Sequence, residues 1–135
     1  MAFKQFLPGR IIYQPFVCPQ INVNCPEGNN WKAEKYAVAM IVVDGIRICS
    51  GSLVNTMAID YTPYFLTANH CLMGNDAVIH NSPLLTSWSF YWQYESPGCS
   101  DALPTIRSTV GAKLIANNDL SDFALLKLLP FQKVY

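Results

Sequence analysis

Six short apolar runs, each ended by turn-forming residues, are the feature that most restricts how this 135-residue chain can fold. The runs are rich in valine, isoleucine and aromatic residues, which are typical of β-strands, and no long amphipathic helix interrupts them. Several short strands at regular spacing are typical of a small β-barrel or sandwich, so we predict an all-β fold of one of these two kinds. The predicted strands are residues 36–43, 46–54, 64–67, 88–94, 109–116 and 123–129.

The segments between the runs carry signals for turns and loops. Asp44-Gly45 directly follows the first run and is a strong signal for a tight hairpin to the second. We predict a turn at 59–63, a loop at 73–83 and a break at 96–101. Residues 1–30 contain four prolines and a turn cluster at 27–30, so we predict an extended lead-in, followed by one domain at 31–135.

Composition excludes two classes of partner. Nine Lys and Arg balance nine Asp and Glu, and charged residues make up only 13% of the chain. Nucleic-acid binding and electrostatic binding to a membrane surface both need a basic cluster, so we expect neither partner. No apolar run approaches the roughly 20 residues of a spanning helix, and the opening residues show no secretory leader.

The cysteines leave two interpretations open. There are five, and none forms a Cys-x-x-Cys pair, which argues against a structural zinc site or a thioredoxin-type motif. They are either disulfides of an exported protein or scattered buried thiols. A bridge between Cys49 and Cys71 would close a loop of about 22 residues and stabilise the fold by roughly 3 kcal/mol. The odd count, with no visible leader, suggests an incomplete chain: Cys18, Cys25, Cys49, Cys71 and Cys99.

His70 and Asp122 are the residues that could carry chemistry. His70 ends an apolar run, and Asp122 begins one. A buried carboxylate needs a partner, and a neutral histidine donating from Nδ1 would be suitable. The plainer interpretations are a structural histidine and a turn or cap role for Asp122, while Asp119 is typical of a turn. No P-loop, His-Glu-x-x-His or Gly-x-Ser-x-Gly motif occurs, and we expect no metal or cofactor.

Three segments, in order along the chain, resemble the chymotrypsin-like (trypsin-like) serine proteases. Cys49-Ser-Gly-Ser-Leu-Val54 is similar to that family's Cys-Gly-Gly-Ser-Leu-Ile strand. Phe65-Leu-Thr-Ala-Asn-His-Cys71 is similar to its Leu-Thr-Ala-Ala-His-Cys block. Asp122-Phe-Ala-Leu-Leu-Lys-Leu128 is similar to its Asp-Ile-Ala-Leu-Leu segment, about 50 residues after the histidine. The resemblance implies the six-stranded Greek-key barrel that forms the first of that family's two barrels.

Further motifs resemble the secreted bacterial lysyl endopeptidase group. They are the stretches 18–28, 51–55 and 88–94, and the resemblance covers roughly residues 18–128. It implies that His70 is the general base and that Asp122 orients it. It also implies the bridges Cys49–Cys71 and Cys25–Cys99, with Cys18 left to pair with a cysteine beyond this chain. An extracellular location, a polypeptide substrate and possible cleavage after lysine follow from the same resemblance.

The chain departs from the family pattern because it contains no Gly-Asp-Ser-Gly-Gly segment. The nucleophile, the oxyanion hole and the second barrel are therefore missing, and we expect a fragment of a secreted serine endopeptidase that is inactive alone. An exposed apolar wall and self-association should follow. One alternative is a non-catalytic binding module derived from a protease. The other is a carbohydrate-binding domain that stacks sugars on Trp31, Trp88 and Trp92, although such residues are more often core packing.

Overall fold

The computed structural model describes residues 21–58, 60–73 and 84–130. Within them are six strands and three short 3-10 helices. The 3-10 helices are η1 (Pro26–Trp31), η2 (Glu34–Ala37) and η3 (Asn69–Leu72). The strands are β1 (Val38–Val43), β2 (Arg47–Val54), β3 (Tyr64–Thr67), β4 (Leu84–Trp92), β5 (Arg107–Asn118) and β6 (Phe123–Leu128).

The six strands form a closed antiparallel barrel in the order β1-β2-β3-β6-β5-β4, with β4 pairing back to β1. Among these six strands, closure leaves no unpaired sheet edge, which a short-stranded sheet of this size would otherwise expose. The all-β prediction is confirmed, and of the two architectures left open, the barrel is the one observed. The order also places β3 beside β6, so the segments that follow β3 and precede β6 are neighbours.

The predicted hairpin joins β1 to β2. Asp44 and Gly45 have φ angles of 51° and 74°, and the Ile46 N–H donates to the Val43 carbonyl at 3.1 Å. Asp tolerates this left-handed region better than most residues, and Gly adopts it freely. The ladder resumes at Val43 and Arg47, so the connection contains three residues rather than two.

Side chains from alternating positions fill the barrel. Phe65 and Phe90 are fully buried and meet edge-to-face, with ring centroids 5.2 Å apart. Trp92 packs on the same Phe65 ring at 5.9 Å. A Cβ on Gly51 would lie 2.3 Å from the Leu66 carbonyl oxygen and 2.4 Å from the Phe65 ring. Only glycine therefore fits where β2 faces β3.

Several strand limits differ from the prediction for local reasons. β1 begins at Val38 because residues 34–37 form η2. β4 ends at Trp92, since Gln93 takes a φ of 51°. β5 is longer than predicted because it bends at Gly111 (φ 87°) and pairs first with β4 and then with β6. β4 begins at Leu84, before the predicted start at 88.

The lead-in is described only from residue 21, so Cys18 and the first part of the predicted extended segment lie outside the described residues, as do the loop at 74–83 and His80. The turn cluster at 27–30 falls within η1, which is helical rather than extended. Cys25, next to it, is bonded to Cys99 in the connection after β4. Across the described ranges, no helix has the length and apolar character needed to cross a membrane.

Candidate active site

His70 lies in η3, directly after β3. Thr67 ends the strand with its hydroxyl donating to the Ser50 carbonyl at 2.8 Å, and Ala68 is in an extended conformation before the 3-10 turn begins. The next residue, Cys71, is 2% exposed and bonded to Cys49 of β2. The backbone on both sides of His70 is therefore attached to β2, which fixes where the histidine leaves the barrel.

Asp122 lies in the turn that joins β5 to β6. Its N–H donates to the Asp119 carbonyl at 3.3 Å, and its φ is 49°. The Asn118 side-chain oxygen accepts from both the N–H and the hydroxyl of Ser121, at 3.0 Å each. Aspartate adopts this left-handed region more readily than most residues, and these hydrogen bonds hold the turn in place.

The two residues contact each other through both carboxylate oxygens. His70 Nδ1 lies 2.8 Å from Asp122 Oδ2, and the His70 backbone N–H donates to Oδ1 at 2.9 Å. The Asp122 carbonyl also accepts from the Asn69 N–H at 3.2 Å. The carboxylate thus fixes the ring and the backbone of the histidine at the same time.

The pair is open to solvent, with side-chain exposures of 64% for His70 and 50% for Asp122. The backbone N–H of His70 and then the hydrogen bond from its ring lower the pKa of Asp122, because both interactions favour the charged carboxylate. Because both side chains are exposed, the contact between His70 and Asp122 is not a consequence of burying two charged groups together. The histidine ring, with Nδ1 occupied by Asp122, presents its remaining surface outward.

A partly buried amide pair joins the segments that carry these two residues. The Asn69 side chain is only 1% exposed, and its Oδ1 accepts from Asn117 Nδ2 at 2.7 Å. Asn117 lies on β5, opposite Ala124 of β6. Neither asparagine was predicted from the sequence to be part of the site. One feature of the sequence could have indicated this pair: Asn69 is a polar residue between an apolar run and His70. A polar side chain that is buried there needs a hydrogen-bond partner.

Within the part of the chain that the structure describes, one group of residues has the composition of a metal site. Cys49, His70 and Cys71 place their ligand atoms within 4.8 Å of one another. The two sulfurs, however, are joined in a disulfide and cannot act as thiolate ligands. The proximity is explained by the bridge next to the histidine.

The described cysteines and two of the tryptophans singled out from the sequence contribute to the structure of the barrel. The two disulfides, Cys25–Cys99 and Cys49–Cys71, have the pairings that the resemblance implied. Trp88 is 2% exposed and belongs to the core, and the partly buried Trp92 packs against that core. Trp31 is 59% exposed. Two of the three tryptophans are therefore not available as a sugar-stacking surface.

The chain was compared with models of known protein families. The family model described as "Lysyl endopeptidase, C-terminal domain" matches residues 17–132, which is most of the chain. The description agrees with the group that the motifs resembled. It differs in one respect, because it names a C-terminal domain whereas we expected the N-terminal barrel of the enzyme.

Proposed function

The chain belongs to the lysyl endopeptidase C-terminal domain family, and from this premise we propose that its barrel supplies the general base and the orienting acid of a serine endopeptidase. The observation that carries the proposal is the His70–Asp122 contact, 2.8 Å between Nδ1 and Oδ2. A histidine held in this way by a carboxylate is two thirds of a Ser-His-Asp triad.

In the proposed mechanism, His70 removes the proton of a serine hydroxyl as that hydroxyl attacks the scissile carbonyl. A serine hydroxyl is a weak nucleophile near neutral pH and needs such a base. The proton then passes from His70 to the leaving amine. The outward-facing ring, 64% exposed, is accessible to a serine and a peptide from another part of the enzyme.

Asp122 orients the histidine and stabilises the imidazolium. With Nδ1 occupied by the carboxylate, Nε2 is the nitrogen that accepts the serine proton. The lowered pKa of Asp122 supports this role, because the carboxylate stays charged under the conditions in which the histidine gains its proton. The second oxygen, bonded to the His70 N–H, keeps the carboxylate from rotating away.

The serine is proposed to come from outside these 135 residues, which contain no Gly-Asp-Ser-Gly-Gly segment. The same region would supply the oxyanion hole and the pocket for the residue before the scissile bond. Cleavage after lysine is proposed from the family alone. The 135-residue chain by itself is expected to be inactive, because a triad without its serine retains little catalysis.

An apolar outer surface next to the pair supports a contact with a second barrel. Leu66 of β3 lies directly opposite Leu125 of β6. Phe123, the residue after Asp122, lies on the same outward face of β6 as Leu125. Leu66 and Phe123 are 42% and 36% exposed. Such a surface promotes association in water. We expect the 135-residue chain to self-associate in sedimentation experiments, and a monodisperse monomer would contradict this.

An extracellular location is proposed from the two disulfides together with the family. Bridges of this kind form and persist in oxidising compartments and are rare in the cytosol. Both Cys25–Cys99 and Cys49–Cys71 link segments that are far apart in sequence, by 74 and 22 residues.

The proposal is tested by reading the coding sequence beyond the codon for Tyr135 and expressing the chain it encodes. We expect an in-frame segment of the Gly-x-Ser-Gly-Gly type and hydrolysis of lysyl peptide amides that serine-directed reagents block. The 135-residue chain, assayed in parallel, should show no such hydrolysis. A stop codon directly after Tyr135 would instead favour the non-catalytic binding module.

A further inference from the structure

The Asn69–Asn117 amide pair joins the two segments that carry the candidate catalytic residues. Asn69 directly precedes His70 in η3, and Asn117 lies on β5 just before the turn that carries Asp122. Their side chains meet at 2.7 Å, with Asn69 1% exposed. The family block that this segment resembles has alanine at the position of Asn69, so the pair is a feature of this chain and not of the quoted motif.

Among the described residues, three further hydrogen bonds connect these segments, and each involves Asp122. They are the bond from the Asn69 N–H to the Asp122 carbonyl and the two bonds from His70 to the carboxylate. Asp122 itself adopts a left-handed φ of 49°, which aspartate tolerates better than most residues. The amide pair is a link that does not depend on Asp122, and Asn69, which accepts the hydrogen bond, is only 1% exposed.

We infer that Asn69 is a positioning residue: its hydrogen bond with Asn117 fixes η3 against the β5–β6 turn and so sets the contact between His70 and Asp122. The inference rests on the proposed function for its catalytic meaning, but its geometric content stands on the contacts alone. Small changes in alignment matter, because a displacement of about 1 Å in catalytic groups costs on the order of 100-fold in rate.

The experiment uses the 135-residue chain and follows the Nδ1 proton of His70 by NMR. A histidine N–H held by a carboxylate resonates at low field and exchanges slowly with water. A His80→Gln variant assigns the signal, because His70 and His80 are the chain's two histidines. The test variants are Asn69→Ala and Asn117→Ala, which remove the same hydrogen bond from opposite sides. Their double variant completes a mutant cycle.

Asn24→Ala is the matched control. Asn24 is also a partly buried amide, and its Nδ2 donates to the Ser96 carbonyl at 2.6 Å in a region without His70 or Asp122. It should lower stability to urea without moving the His70 signal. A purely structural role for Asn69 predicts the same behaviour for Asn69→Ala.

We expect both test variants to shift the His70 proton upfield and speed its exchange, the double variant to add little, and the control to leave the signal unchanged. If the test variants lose stability but keep the wild-type signal, the inference is overturned. Should Asn69→Ala fail to fold, Asn117→Ala decides alone. In the longer active chain, kcat should fall with KM unchanged. If the test variants displace the His70 signal but the longer chain, without these substitutions, has no peptidase activity, the proposed function is refuted and the positioning role stands.

Discussion

Two acid–base pairs in this barrel have nearly the same contact distance and very different surroundings. Lys35 Nζ lies 2.7 Å from Glu95 Oε1, with side-chain exposures of 15% and 20%. His70 Nδ1 lies 2.8 Å from Asp122 Oδ2, with exposures of 64% and 50%. Each pair contains a residue that is close in sequence to a disulfide-bonded cysteine. Only the second pair is largely exposed to solvent.

The shielded pair is part of a closed network. Lys35 also donates to Asn24 Oδ1 at 2.6 Å, and Asn24 Nδ2 donates to the Ser96 carbonyl. Together with the Cys25–Cys99 bridge, this network ties the segment before β1 to the connection after β4. The open pair, in contrast, has surface left for chemistry. From this difference we expect the first pair to stabilise the fold, and we propose the second as the functional pair.

The largest expected effect is on catalysis by the longer chain. His70→Ala should reduce kcat by about 10⁶-fold and Asp122→Asn by about 10⁴-fold, because the first removes the base and the second favours the wrong tautomer. Urea midpoints should change little, since both side chains are exposed. Peptide-amide hydrolysis measures the effect, with His80→Ala as the control. Unaltered activity in His70→Ala would remove the basis for the comparison.

The two disulfides should differ in stability and in their influence on the site. Replacing Cys25 and Cys99 by serine should cost about 4 kcal/mol, and replacing Cys49 and Cys71 about 3 kcal/mol, from the loop lengths of 74 and 22 residues. Urea unfolding measures both. Only loss of the second bridge should also displace the His70 Nδ1 signal, because Cys71 follows His70. Equal displacement by both would mean that the two regions are coupled.

Breaking the shielded ion pair should have a moderate effect. Glu95→Gln should destabilise the fold by about 1–3 kcal/mol, since it weakens a charged hydrogen bond in a region with little solvent screening. Lys32→Met, at an exposed lysine of the same segment, is the control and should leave the urea midpoint nearly unchanged. Similar midpoints for the two variants would show that shielding does not distinguish this pair from the open one.

The smallest expected effect is in the titration of Asp122. Its pKa is lower in the folded chain than the ordinary value of 3.8. The carboxylate therefore stabilises the fold above pH 3.8 and loses that contribution as the pH falls through its lower folded pKa. In His70→Ala the pKa should rise only partway, because the backbone N–H, its largest cause, remains. Carboxyl carbon NMR measures it, and a full return to 3.8 would contradict the assignment.

Local patterns were enough to predict most of the strands and the two candidate catalytic residues. β3 was predicted with its observed limits, and the Asp44-Gly45 hairpin lies where the dipeptide indicated. The predicted start of β1 was wrong by two residues because 34–37 form a 3-10 turn, and β4 starts four residues earlier and ends two residues earlier than predicted, at the positive φ of Gln93. The exposure of Asp122 was also not predicted, because an acid beside an apolar run can face either way.

The sequence by itself determined the strand pattern, the hairpin and the motifs around His70 and Asp122, because each depends on residues within a few positions of one another. Only the tertiary structure decided that the sheet closes and that Lys35 finds Glu95, 60 residues away. It also brought Asn69 to Asn117, 48 residues away. Such pairings arise from strand order and register, which set the distance between remote segments and leave no periodic trace in the sequence.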